Sequence, residues 1–138
     1  MKLAFLALLA LSTPAFAEIH EVKMLNRGES GPMVYEPDHL VIQPGDTVKF
    51  RTTQASHNAT SIDGMLPEGA APFKGGINEE IELTLTVPGF YGVKCSPHFA
   101  MGMVMVIEVG EVTPDPALPD DLPARAKQRF EEILARRP

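Results

Sequence analysis

Four side chains in this sequence carry chemistry that the rest of the chain does not. Cys95, His98 and Met103 fall within the single stretch Cys95-Ser96-Pro97-His98-Phe99-Ala100-Met101-Gly102-Met103, and His57 stands well upstream in Ser56-His57-Asn58. One thiolate and two imidazoles in a trigonal plane, capped by a long thioether bond, make up a type 1 copper site. Thiolate and thioether suit Cu(I), and imidazole suits both oxidation states, so the set favours reversible one-electron chemistry. Zinc fits less well, because its sites draw on Cys, His and carboxylates, and a second cysteine is lacking. A Cys–His nucleophile is the enzymatic alternative, but no acid or amide in the sequence is evidently placed to orient the imidazole.

The other candidates are weaker. Met101 and Met105 compete with Met103 for the axial position, and strand methionines are usually core filler. Spacing from His98 favours Met103, with Met105 deeper in the core and Met101 near the surface. His20 begins a strand and His39 follows Pro37-Asp38, so both read as surface residues. With four histidines in all, and two of them so placed, the further copper centres of a multicopper oxidase cannot be built.

The single cysteine gains weight from where the chain goes. Met1-Lys2, the apolar run from Leu3 to Leu11 and Ala15-Phe16-Ala17 read as a secretory signal, residues 1–17, cut after Ala17. The run is shorter than the roughly 20 residues a membrane span needs, and no other segment is apolar enough for membrane insertion. The expected location is the periplasm. An exported chain with one cysteine cannot form an internal disulfide, so the thiol needs another use. The formal net charge is −6 over 138 residues, with the acidic excess in residues 18–112. Nucleic acid is excluded as a partner, since phosphate binding needs clustered cations.

Positioning these ligands takes a rigid scaffold, and the patterning supplies one. Val48 and Phe50 alternate with Lys49 and Arg51, and Ile81, Leu83, Leu85 and Val87 alternate with Glu82, Thr84 and Thr86. Both read as half-buried antiparallel strands. Further strands are expected at 19–26, 39–42, 58–62, 90–94 and 103–109. Turn signals separate them, from Arg27-Gly28 to Gly31-Pro32, at Glu36-Pro37, Pro44-Gly45-Asp46, Gly75-Gly76 and Pro88-Gly89. The fold class is all-β, a Greek-key sandwich over residues 18–112. Residues 113–138 then form a proline-rich connector and one helix, with Ala126, Phe130, Ile133 and Leu134 at helical spacing. Asp120 and Asp121 are expected near its N-terminus, Arg136 and Arg137 near its C-terminus, and Glu132–Arg136 as an i, i+4 pair.

Around the ligands, Asn58 is placed to tie the two ligand loops together, and its N–H to reach the Cys95 sulfur. Pro97 has no N–H to give, which should leave the thiolate electron-rich. The loop residues Pro97, Phe99, Ala100, Met101 and Gly102 are expected to form an apolar docking rim around His98, with Lys74 and Lys94 steering a partner from its margin.

These stretches, with Lys23-Met24-Leu25-Asn26, Met33-Val34-Tyr35-Glu36-Pro37, Pro44-Gly45-Asp46-Thr47-Val48, Gly64-Met65-Leu66-Pro67, Phe73-Lys74 and Gly89-Phe90-Tyr91-Gly92-Val93-Lys94-Cys95, resemble the pseudoazurins, blue copper proteins of the cupredoxin family. The resemblance runs over residues 18–138. It implies an eight-stranded cupredoxin-like sandwich with a C-terminal helical tail. It implies one type 1 copper held by His57, Cys95, His98 and Met103, with Asn58 donating to the sulfur, and it adds Met33 and Met65 to the rim. It also implies a monomeric periplasmic electron carrier that catalyses no reaction. Its transient partners would be reductases of denitrification, copper nitrite reductase above all, or cytochromes. A copper storage or delivery protein is the alternative. Two features depart from the family. Pseudoazurins usually carry two C-terminal helices and often a ring of lysines, whereas prolines 114, 116, 119 and 123 leave room for one helix and the body is acidic.

Overall fold

The computed structural model describes residues 16–138; the expected signal segment, 1–17, lies outside them except for its last two residues. Eight strands follow in order: β1 (Ile19–Gly28), β2 (Gly31–Glu36), β3 (His39–Ile42), β4 (Thr47–Arg51), β5 (Thr60–Ser61), β6 (Ile81–Thr84), β7 (Gly89–Lys94) and β8 (Val104–Val109). A 3-10 turn at Ser96–Met101 separates β7 from β8, and helix α1 (Ala124–Ala135) closes the chain. The strands form two four-stranded sheets, β2-β1-β4-β6 and β3-β8-β7-β5, the expected sandwich.

β4 and β6 pair antiparallel, but β1 runs parallel to β4 and β3 parallel to β8. Strand extents differ from expectation in several places: β1 runs on to Gly28, and β6 ends at Thr84 although the alternation continues to Val87. β2 falls partly where Gly31-Pro32 reads as a turn; the turn itself is Glu29-Ser30, and Pro32 is tolerated because β2 is an edge strand that need not donate on its outer side. The strand expected over 58–62 contracts to Thr60–Ser61, because Asn58 is committed to side-chain bonds across the ligand loops.

β8 explains how the helix joins the sandwich. All six of its residues are buried, so both faces are covered. Met105, Ile107 and Val109 join Val22, Met24, Val48 and Phe50 in the core between the sheets. Val104 and Val106 face the other way and pack with Ala126, Phe130 and Ile133 of α1. The helix therefore buries its i, i+4, i+7 stripe as its spacing predicts.

Its ends behave differently from expectation. No acidic residue sits in its first turn, since Pro123 takes the cap position and Asp120 and Asp121 precede it. Glu132 pairs with Arg125 and Arg129 at 3.5 and 3.7 Å, not with Arg136. Arg136 instead reaches Asp38 at 2.8 Å, and Arg137 reaches the buried Glu108 at 2.7 Å. Glu108 also pairs with His39, which is largely covered and not a free surface histidine. A buried carboxylate needs such partners, and the helix end is the nearest source of positive charge. Among the described residues, no helix is long and apolar enough to cross a membrane.

Candidate metal centre

The loop after β7 is built by short-range backbone bonds. The His98 N–H donates to the Cys95 carbonyl at 3.1 Å, and the Met103 N–H donates to the His98 carbonyl at 3.2 Å. The Cys95 N–H donates to the Met103 carbonyl at 3.0 Å, which closes the loop across its mouth. Pro97 fits the first turn, where its missing N–H leaves no bond unmade. Gly102 adopts φ 85°, and a Cβ there would stand 3.1 Å from the Arg125 carbonyl oxygen, so the loop is pressed against the start of α1.

His57 arrives from the other side, between β4 and β5. Its Nδ1 lies 3.7 Å from the Cys95 Sγ and 3.2 Å from the His98 Nδ1, while the His98 Nδ1 lies 3.5 Å from the same sulfur. Three donors spaced 120° around an ion, at about 2.0 Å for nitrogen and about 2.3 Å for sulfur as in imidazole and thiolate zinc sites, would stand roughly 3.5 and 3.7 Å apart. The observed triangle is within a few tenths of an ångström of that figure. His57, Cys95 and Met103 are fully buried, and His98 is half-buried, the one of the four that reaches the surface.

Two residues not singled out in the sequence hold the triangle in place. The His57 Nε2–H donates to the Asn26 side-chain carbonyl at 2.8 Å, which leaves Nδ1 as the free lone pair facing the sulfur. The Tyr35 hydroxyl donates to the Asn58 backbone carbonyl at 2.6 Å. Neither contact has a local signature, since Asn26 ends a strand stretch like any turn asparagine and Tyr35 reads as an ordinary core aromatic.

Asn58 bridges the two ligand loops. Its side-chain carbonyl accepts from the Ser96 N–H at 2.7 Å, and its amide donates to the Gly75 carbonyl at 3.0 Å and to Thr60 and Ser96 hydroxyls at 3.2 Å.

Electrostatics prepare these groups for a soft cation. Burial lowers the His57 pKa, helped by the neighbouring His98, so the ring is held neutral with a lone pair available. Burial pushes the Cys95 thiol up, opposed by the nearby backbone N–H groups of Asn58 and His98. The thiol therefore keeps its proton until a metal displaces it. Burial, and then the nearby Cys95, raises the Tyr35 hydroxyl well above its ordinary range, so it remains a donor at every working pH.

The expected rim is only partly at the surface. Pro97, Ala100 and Met101 are exposed, Met101 by 47%. Phe99 is half-buried beneath Lys94, whose ammonium lies 4.9 Å from the ring centroid. Met65 and Gly102, both assigned to the rim, are buried, because Met65 fills the space left by Gly92 and Gly102 is covered by Arg125. Met33 packs half-buried against the sandwich core, and Lys74 is exposed.

Comparison with known proteins agrees with this geometry. A family model described as copper binding proteins, plastocyanin/azurin family, matches residues 22–110. The chain is 50% identical over 131 residues to a pseudoazurin of Paracoccus pantotrophus, covering 94% of this chain and 90% of the relative. The solved pseudoazurin of Methylobacterium extorquens superposes with a TM-score of 0.77 at 34% identity, over 85% of this chain and 97% of that one. A copper-containing nitrite reductase of Thermus scotoductus matches at 27% identity and a TM-score of 0.50, over 78% of this chain but 25% of its own.

Proposed function

This chain belongs to the plastocyanin/azurin family of copper-binding proteins and, within it, to the pseudoazurins, and from that premise we propose that it carries electrons in the periplasm to a copper nitrite reductase. The family makes it a blue copper electron carrier and not an enzyme. His57, Cys95, His98 and Met103 are the residues that would hold the ion. When bound, copper supplies a one-electron couple between Cu(II) and Cu(I). The residues do the rest. The β-scaffold and the Asn26, Asn58 and Tyr35 bonds hold the ligands, and burial keeps water from His57, Cys95 and Met103.

The observation that carries the reading is the unequal burial of the ligands. Three are sealed in the core, and His98 alone meets the surface, on the loop that also exposes Pro97, Ala100 and Met101. A partner docked on that apolar face has an electron route through one imidazole. Such a contact stays small and short-lived, below roughly 1,200 Å². Storage or delivery would call for ligands open to exchange, which this burial disfavours.

The test is rapid mixing of the reduced, copper-loaded chain with a copper nitrite reductase. Fast saturable oxidation is the expected result, and none at any salt concentration would sink the assignment. Lys94→Glu should slow it about fivefold at low ionic strength and little at high salt, as a change in encounter rate. Lys74→Glu should act alike without disturbing Phe99.

Pro97→Ala adds an N–H beside the thiolate. One hydrogen bond of ordinary net strength, stabilising the reduced centre, raises the potential by about 50 mV. Voltammetry reads this directly, and an unchanged or lower value would refute the role given to Pro97.

A further inference from the structure

At the start of β1 a second group of donors converges where the expected processing of the chain would change the chemistry. The Glu18 backbone nitrogen lies 2.9 Å from the Asp46 Oδ1, and the His20 Nε2 lies 3.0 Å from the Asp46 Oδ2 and 3.9 Å from the Glu18 Oε2. The group is held by the sheet and not by its own side chains. The Glu18 carbonyl accepts from the Thr47 N–H at 2.8 Å, and Ile19 and His20 pair in register with Thr47 and Val48. Asp46 is buried and fixed by the Gln43 N–H at 3.0 Å.

We propose that the Glu18 α-amine, the His20 imidazole and the Asp46 carboxylate form a second Cu(II) site, completed when the chain is cut after Ala17. In the uncut chain the Glu18 nitrogen is an amide, with no lone pair to offer a cation. After the cut it is an amine, whose proton a bound Cu(II) displaces to use the nitrogen as a ligand. The Glu18 nitrogen and the His20 Nε2 each approach an oxygen of the same carboxylate at 2.9 and 3.0 Å, close to the roughly 2.8 Å that separates adjacent donors when bonds are about 2.0 Å in the mixed nitrogen and oxygen geometry Cu(II) prefers. Cu(II) also stands highest in affinity among the divalent first-row ions at such donors.

Asp46 suits the role because the Glu18 N–H, the His20 ring and the Gln43 N–H together hold its carboxyl at about 2, so it is an anion at working pH. Binding would displace the protons now shared with Asp46, leaving the carboxylate bonds to the metal in their place. The site is separate from the type 1 centre. His20 and Asn26, which holds His57, lie six residues apart on β1, about 20 Å at strand rise.

The proposal rests on the periplasmic reading above, through the cut it implies. The full chain would be exported from a bacterial host, its N-terminus read by intact mass, and the oxidised holoprotein titrated with Cu(II) while electron paramagnetic resonance is recorded. The expected result is a mature chain beginning at Glu18 that binds two copper ions, with a tetragonal signal added to the type 1 signal. His20→Gln and Asp46→Asn should each lose the added signal and keep the type 1 signal, which shows that they are folded. Acetylating the α-amine should weaken the second site at least tenfold. One copper per mature chain, a different N-terminus, or a second signal that survives His20→Gln would overturn the proposal. A signal lost in His20→Gln but kept in Asp46→Asn would also overturn it, by pointing to a strand end peeled from the sheet and wrapping the ion with its own amides. Loss of the type 1 signal in the wild-type chain would instead count against the electron-carrier reading and leave this titration readable.

Discussion

Cys95→Ser abolishes the intense visible colour of the copper-loaded chain and its reversible reduction by ascorbate. The colour of a type 1 centre is a charge transfer from thiolate sulfur to Cu(II), and Cys95 is the one sulfur anion the chain can offer. A serine hydroxyl is a hard, neutral donor at the same position, with no low-lying electrons to transfer and little affinity for Cu(I). The loss should be complete, because His57 and His98 supply the same imidazole donors with or without the thiolate. The absorption spectrum before and after ascorbate checks it. A variant that stays blue would mean that the sulfur triangle is not the chromophore, and the carrier assignment would fall with it.

The second large effect is on stability. Phe130→Ala should cost about 3–5 kcal/mol, the usual range for deleting a fully buried aromatic ring. Phe130 is completely buried between α1 and the outer face of β8, among Val104, Val106, Ala126 and Ile133. No neighbour is free to fill the hole, because β8 is packed on both faces. Helix α1 also presses on Gly102 within the ligand loop, so a loosened helix should make copper easier to remove. Urea unfolding of the copper-free chain measures the first effect, and chelator competition measures the second. A stability loss below about 1 kcal/mol would mean that the helix is not part of the cooperative fold.

The sequence by itself determined the parts that depend on local chemistry and local period. The donor types at Cys95, His98, Met103 and His57 limit the metal, because softness belongs to the side chain and not to the fold. Alternation through Val48 and Phe50, and the helical stripe of Ala126, Phe130 and Ile133, likewise follow from how side chains leave the backbone. Tertiary structure decided whatever joins residues far apart in the chain. The parallel pairing of β1 with β4 is one case, and the Asn26 clamp on His57 another. Burial of Met65 and Gly102 is a third, since each is covered by a residue from another element. The helix end is the clearest. Arg136 and Glu132 have ideal spacing for a pair, yet Arg136 goes to Asp38 and its neighbour Arg137 to Glu108. An exposed helical pair contributes a few tenths of a kcal/mol, whereas a buried carboxylate left without a cation costs far more, and no periodicity in the sequence records where that carboxylate will lie.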